Sequence, residues 1–291
     1  MEKRKLVKVV SPVRTSDGAG VTLQRAIGNF EVSELDPFLL LDHFGSSNPN
    51  EYIAGFPMHP HRGIETVTYM FAGSVKHRDS SGNEGVIGSG DIQWMTAGSG
   101  IMHEEMPQMR EGKLEGFQLW VNLPSSKKMI DPRYQDFKHH EIPKVETPNG
   151  GLVKVIAGEY GGISGVVRNI EVQPTYMDVS LIQGESFEKR FLPKDTVFAY
   201  IYAGSGSFPY HDGLRVVESN KLAIFGEGEL FDVTAGSDGM KFLLVSGKPL
   251  GEPIARYGPF VMNTQEEISE ALRELQQGTF VKRKGEENGN G

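Results

Sequence analysis

Two short segments of the 291-residue chain carry side chains that could bind a metal together. His59 and His61 form a His-Pro-His triplet, and His103 begins the triplet His103-Glu104-Glu105. In a β-strand, residues i and i+2 face the same side, so His59 and His61 point together, as do His103 and Glu105. If the two segments are neighbouring strands, three imidazoles and one carboxylate converge. That donor set favours one divalent transition metal, such as Fe, Mn, Ni, Cu or Zn, over Mg or Ca.

The rest of the sequence predicts the strands that such a site needs. The 36 glycines and 16 prolines separate short runs rich in Val, Ile, Phe and Tyr, for example residues 66–71 and 198–202. Many short strands joined by tight turns indicate an all-β sandwich or barrel. A net charge of −8 argues against direct binding of nucleic acid or an anionic membrane surface. The absence of cysteine excludes disulfides, and no apolar run is long enough to span a membrane.

An internal repeat suggests two related barrels. Tyr69–Ser74 resembles Tyr200–Ser205, and residues 88–99 resemble residues 226–237. The spacing of these matches predicts that none of the four candidate ligands recurs in the second half. The predicted counterparts of His59, His61, His103 and Glu105 are Arg190, Leu192, Lys241 and Leu243. One barrel is therefore expected to hold the site, and the other to serve as scaffold or lid.

We expect an N-terminal metal-binding barrel over residues 1–135 and a C-terminal barrel without metal ligands over residues 136–281. Thr264-Gln-Glu-Glu267 forms a capping-box pattern. Apolar residues then follow at helical spacing, which predicts a short α-helix over about 264–277. The polar residues 282–291 are expected to form a disordered tail.

Longer motifs resemble those of one family. They are Gly55-Phe-Pro-Met-His-Pro-His-Arg-Gly-Ile-Glu-Thr-Val, Gly90-Asp-Ile-Gln-Trp-Met-Thr-Ala-Gly, Leu119-Trp-Val-Asn-Leu and Gly258-Pro-Phe-Val-Met-Asn-Thr. Together they resemble the pirin family of the cupin superfamily, over most of the chain. The second cupin motif is degenerate, because Thr96 stands where proline is usual.

The resemblance implies two tandem cupin barrels, each a double-stranded β-helix or jelly roll, with one Fe(II) in the N-terminal barrel. It assigns the metal to His59, His61, His103 and Glu105. In most cupins the ligating carboxylate would instead be the one at Glu65. The closer likeness to pirins makes Glu65 a supporting acid.

The resemblance also implies a function. Pirins are reported as quercetin 2,3-dioxygenases, which cleave a flavonol with O₂ and release CO, and Glu105 would then take the proton of the 3-hydroxyl. Four apolar residues near the ligands could line the substrate pocket: Phe56, Met95, Ile101 and Met102. The alternative is an iron-binding nuclear co-regulator of a transcription factor, or a partner of a G-protein α subunit. We expect an intracellular protein of the nucleus, the cytoplasm or both.

Overall fold

The computed structural model describes residues 1–108 and 112–282. The first twelve strands are β1 (Leu6–Val10), β2 (Val13–Asp17), β3 (Val21–Ile27), β4 (Phe38–Ser46), β5 (Phe56–His61), β6 (Ile64–Ala72), β7 (Val75–Asp79), β8 (Glu84–Ile87), β9 (Ile92–Thr96), β10 (Ile101–Pro107), β11 (Leu114–Asn122) and β12 (Arg133–Phe137). The others are β13 (Lys144–Glu146), β14 (Leu152–Ala157), β15 (Glu159–Tyr160), β16 (Ile163–Ser164), β17 (Thr175–Leu181), β18 (Ser186–Arg190), β19 (Thr196–Tyr210), β20 (Gly213–Glu218), β21 (Lys221–Phe225), β22 (Leu230–Gly247), β23 (Ala255–Tyr257) and β24 (Phe260–Met262). Two 3₁₀ helices cover Pro49–Glu51 and Ser125–Lys127, and the α-helix α1 covers Gln265–Gln277.

The strands form two compact units, each built from separate parts of the chain. One, here called the histidine unit, contains Thr15–Leu23, Asp42–Asp136 and the described part of the chain from Gly251 to Lys282. The other, the apolar unit, contains Met1–Arg14, Gln24–Leu41 and Phe137–Leu250. The predicted all-β fold with a short C-terminal helix is confirmed. The predicted domain limits, 1–135 and 136–281, stay a prediction.

The histidine unit is built mainly on two antiparallel sheets. One has the strand order β12-β9-β6-β11-β4-β3-β2, and the other has the order β5-β10-β7-β8. Burial alternates along β7 and β10, so that every second side chain points inward. This period of two is what a half-buried strand requires. It places His77, His103 and Glu105 on the inner face of the smaller sheet.

The apolar unit is a nine-stranded sheet with the order β1-β21-β19-β22-β17-β14-β13, in which β18 and β20 also pair with β22 and β19. The long strands β19 and β22 shift register near Gly204, where φ is +68°. Such irregularities let one strand bend and serve both faces of a barrel. The interior is filled by apolar side chains, among them Phe187, Phe208, Phe231 and Val233.

The strand pairing confirms the repeat but corrects its second half. Gly73 and Gly204 both have positive φ, as the first match requires. However, the backbone N–H of Gly90 donates to Met70, and that of Asn220 donates to Ile201. Asn220 is therefore the counterpart of Gly90, and the predicted match of residues 88–99 to residues 226–237 is wrong. Short glycine turns recur in any β protein, whereas hydrogen-bond register identifies equivalent strands.

The corrected register changes which residues replace the candidate ligands. His103 faces His59 across β5 and β10, just as Phe231 faces Lys189 across β22 and β18. Glu105 faces Phe56, and Val233 likewise faces Phe187. The counterparts of the four candidates are Lys189, Phe191, Phe231 and Val233, not Arg190, Leu192, Lys241 and Leu243. The conclusion that the ligands are absent from the second barrel is unchanged, and Phe231 and Val233 are fully buried in its core.

The C-terminal helix has the predicted ends. The Thr264 hydroxyl accepts a hydrogen bond from the backbone of Glu267, whose carboxylate accepts one from the backbone of Thr264. Helix α1 then ends at Gly278, where φ is +72°. Residues 283–291 of the predicted tail lie outside the described residues. Its first residue, Lys282, pairs with Glu274.

We predict that Phe231→Ala lowers the free energy of unfolding by about 3–5 kcal/mol, because it leaves a cavity in a close-packed core. Urea denaturation would measure the loss. Val216→Ala is the control: this residue of the same unit is 62% exposed, and its loss should change stability by less than about 0.5 kcal/mol. Equal stability of the two variants would contradict a core function for Phe231.

Candidate metal centre

Neighbouring antiparallel strands β5 and β10 bring the predicted histidines together. His103 pairs directly with His59, and His61 pairs with Ile101. The side chains of His61 and His103 are buried, and His59 is partly exposed. The sequence prediction of two facing pairs is therefore correct for the three imidazoles.

The three imidazoles form a tight cluster. Their ring centroids are 4.4 to 5.1 Å apart, and one nitrogen from each lies within 4.8 Å of the others. Among the described residues, this is the one group of three or more possible metal ligands that lie so close together.

The nitrogens of His59 and His61 are arranged as two ligands of one cation would be. The N–H at Nδ1 of His59 donates to the carbonyl of Pro57 at 2.9 Å, which leaves a lone pair on Nε2. This Nε2 lies 3.0 Å from Nε2 of His61. Two metal–nitrogen bonds of about 2.1 Å at a right angle would give about the same separation.

His103 provides the clearest sign of a missing partner. It is 1% exposed, and within the described part of the chain neither ring nitrogen has a hydrogen-bond partner. An unpaired buried polar group costs about 1–3 kcal/mol. Burial, and to a lesser extent the neighbouring histidines, lowers the pKa of His103. Burial also lowers the pKa of His61. Both rings are therefore neutral, the form that binds metal ions.

Glu105 lies on the same inner face but outside the cluster of three nitrogens. Its carboxylate accepts a hydrogen bond from the Thr68 hydroxyl at 2.9 Å. The Thr68 oxygen is also 2.8 Å from the side-chain amide of Gln118. The atom in contact is Oε1 of Gln118, so Thr68, which has one hydroxyl proton, donates either to Glu105 or to Gln118 at any one time. Burial raises the pKa of Glu105, while His59, Thr68 and His77 act in the opposite direction.

Glu65, the carboxylate that most cupins would use, has both oxygens bound to neighbouring side chains. Trp94 Nε1 donates to one oxygen at 3.1 Å, and the Thr96 hydroxyl donates to the other at 2.7 Å. Thr96, the departure from the usual cupin proline, thus has a structural purpose. These contacts favour a structural function for Glu65 rather than direct binding of the metal.

A narrow cleft leads to Thr68, Glu105 and Gln118. Its other walls are apolar: Val21, Phe44, Phe56, Val75, Pro107 and Leu114. Of the four apolar residues predicted to line a pocket, only Phe56 does so here. Met95 and Ile101 are buried in the core, and Met102 packs against the cluster around helix α1. The cleft thus combines apolar walls with three polar side chains, but its volume of about 20 Å³ is far below the several hundred Å³ of a typical small-molecule site.

Comparison with known proteins identifies the family. The family model for pirin matches residues 20–121, and the model for the pirin C-terminal cupin domain matches residues 176–281. The chain belongs to the pirin family. Its tandem cupin architecture is thereby established.

Individual pirin relatives align along nearly the whole chain. A Pseudomonas aeruginosa protein that carries the provisional name quercetin 2,3-dioxygenase is 46% identical, over 91% of this chain and 94% of its own. A pirin-like protein of Caulobacter vibrioides is 44% identical, over 96% of this chain and 100% of its own. The crystal structure of quercetin 2,3-dioxygenase from Acinetobacter baumannii superposes with a TM-score of 0.86 at 35% identity, covering 96% and 98% of the two chains.

His77 and Tyr134 also lie near this centre, although neither is among the predicted ligands. His77 is buried and lies opposite Glu105 on β7, with its ring 5.7 Å from that of Tyr134. Gly85 makes room for it, because a Cβ there would lie 2.6 Å from His77 Nε2. Strand β7 buries every second residue, namely Val75, His77 and Asp79. This period of two is the signal from which the burial of His77 could have been predicted. His43, a histidine outside the cluster, stacks on Phe117 with the ring centroids 4.4 Å apart.

In the described part of the chain, no helix is both long and apolar enough to cross a membrane. The expected nuclear location, the transcription-factor partner and the G-protein partner stay predictions.

We predict that Thr96→Val lowers the free energy of unfolding by about 1–3 kcal/mol, because a buried carboxylate loses a hydrogen-bond donor. Chemical denaturation would measure this. Thr279→Val is the matched control, since that hydroxyl donates to the Glu274 carbonyl at the protein surface. If Thr96→Val were as stable as the parent, the structural purpose assigned to the Thr96–Glu65 contact would be wrong.

Proposed function

We propose that this pirin-family protein binds one divalent transition metal, Fe(II), through His59, His61 and His103, with Glu105 as the fourth ligand. The observation that carries the proposal is the convergence of three imidazoles, two of which are buried. In particular, His103 has no other partner for either nitrogen among the described residues. Imidazole nitrogens suit Fe, Ni, Cu and Zn. The choice of iron rests on the pirin resemblance.

We further propose that the protein is a dioxygenase that cleaves flavonols such as quercetin with O₂ and releases CO. Support comes from the relatives named as quercetin 2,3-dioxygenases, at 46% and 35% identity. The cleft beside Glu105 has a volume of about 20 Å³, so a flavonol would enter only if its apolar walls, including Phe44 and Phe56, moved apart. When bound, the metal would supply the redox chemistry that O₂ requires.

Glu105 is the group best placed to accept the proton of the flavonol hydroxyl. Its carboxylate lines the end of the cleft, and burial raises its pKa towards the working range of a general base. The hydrogen bond from Thr68 orients one oxygen and leaves the other for substrate or metal. Gln118 is a second acceptor for the same Thr68 hydroxyl. The chain therefore contributes an aligned proton acceptor in a site that largely excludes water.

We predict that the protein purified without chelators contains about one divalent transition metal per chain, and that His61→Ala or His103→Ala removes most of it. Each ligand contributes strongly to the affinity of a site with so few donors. Elemental analysis would measure the content. The exposed His140→Ala is the control and should keep the metal. Full occupancy in both ligand variants would show that the assignment is wrong.

We predict that Glu105→Gln keeps the metal but lowers flavonol-dependent O₂ consumption by about 10²-fold or more, because the amide cannot accept the proton. The three histidines remain and the Gln amide keeps an oxygen donor at this position, so the ion should be retained, unlike in the histidine-to-alanine variants. An oxygen electrode and elemental analysis measure the two effects. Glu104→Gln is the matched control, because Glu104 points to the opposite face and pairs with Arg78. An unchanged rate in Glu105→Gln would exclude the proton-transfer step.

A further inference from the structure

The chain from residue 251 to residue 282, here called the C-terminal strap, lies along the end of the strand that carries two of the histidines. Arg62 forms a parallel bridge with Phe260. The backbone N–H of Val261 donates to the Arg62 carbonyl at 3.1 Å. Gly63 permits this approach, because a Cβ there would lie 2.0 Å from the carbonyl oxygen of Val261. The strap therefore acts as an added strand beside the residue that follows His61.

The side chain of Arg62 ties the strap to both histidine-bearing strands. It is 1% exposed. Its Nε donates to the carbonyl of Ser99, just before β10, at 2.7 Å. One terminal nitrogen donates to the Glu274 carboxylate of α1 at 2.5 Å, and to the Phe280 carbonyl at 3.3 Å. The guanidinium also lies 4.5 Å from the centre of the Phe280 ring. Arg62 therefore joins the end of β5, the start of β10 and the strap.

Lys128 makes a second connection between the same elements. Its buried ammonium donates to the carbonyl of Gly63 at 3.0 Å, to the carbonyl of Val261 at 2.9 Å and to the Asn122 side chain at 2.7 Å. All three donor positions are used, which fits a lysine held in one place. Burial lowers the pKa of Lys128 to about 8. Two buried cations thus fasten the strap within two residues of His61.

The strap also approaches the ring of His61, directly through Pro259 and indirectly through Trp120. The Pro259 carbonyl lies near this ring and acts to raise its pKa, against the larger effect of burial. Trp120 packs edge-on against the same ring at 5.1 Å, and the guanidinium of Arg256 lies 5.0 Å from the centre of the Trp120 ring. The orientation of His61 therefore depends on strap residues about two hundred positions later in the chain.

We propose that the C-terminal strap positions the metal centre, with Arg62 and Glu274 as its positioning residues. The inference rests on the proposed metal site. A cation at the histidine cluster would be destabilised by the buried positive charge of the adjacent residue, Arg62, unless that charge is neutralised. Glu274, which also pairs with Lys282, offsets part of this charge and fixes the geometry of the guanidinium. Contacts of this kind around ligands commonly change metal affinity by about 10- to 100-fold.

The test uses cobalt(II), whose visible absorption reports the geometry of its ligands. We expect Glu274→Ala to weaken cobalt affinity by about tenfold or more and to change the absorption spectrum of the bound ion. Glu270→Ala is the matched control on the same helix, because its exposed carboxylate pairs only loosely with Arg273, at 4.0 Å. The control should bind cobalt within about twofold of the parent with an unchanged spectrum.

The outcomes distinguish a failure of the strap proposal from a failure of the proposed metal site. Circular dichroism of the metal-free variants checks that each is folded. If Glu274→Ala is not folded, Phe280→Ala provides a second test, because it removes the aromatic ring that the strap places on the same guanidinium. Parent-like affinity and spectrum in a folded variant would overturn the strap proposal while leaving the metal site intact. If the unaltered protein binds no cobalt, the metal site itself is wrong and the strap proposal falls with it.

Discussion

The cost of burying unpaired polar groups is the constraint on which this structure depends. Three imidazoles converge between β5 and β10, and His103 has no hydrogen-bond partner for either nitrogen among the described residues. A fold that places such groups inside a barrel loses stability unless something binds them. The register of two strands places His103 opposite His59. It thus lowers the folding stability locally and at the same time creates a site with affinity for a cation.

The apolar unit shows what the same strand arrangement looks like without that cost. Where the histidine unit has His103 and Glu105, the apolar unit has Phe231 and Val233 within a continuous core. Backbone pairing is kept while the chemistry of the inward positions is replaced. The barrel therefore does not need the histidines in order to form, and their presence in one unit is best explained by binding.

The sequence was sufficient to predict the parts of the site that depend on local spacing. The i, i+2 period placed His59 with His61, and the capping box placed the start of α1. It was insufficient wherever distant segments meet. The repeat was misaligned because glycine turns look alike in different hairpins. The hydrogen bonds of Thr68 to Glu105 and of Thr96 to Glu65 depend on strand register, which a single sequence does not show.

The least predictable feature is the dependence of the site on the strap. Helix α1 could be recognised from its apolar spacing, but its amphipathic pattern says only that one face is buried. The decisive residue is Glu274, on a more polar part of the helix, which reaches the buried Arg62. A buried guanidinium requires hydrogen-bond acceptors wherever it lies, and the acceptors of Arg62 include the Glu274 carboxylate as well as the Ser99 carbonyl. That requirement connects the C-terminal helix to the histidine cluster, whose motifs lie in the first half of the sequence.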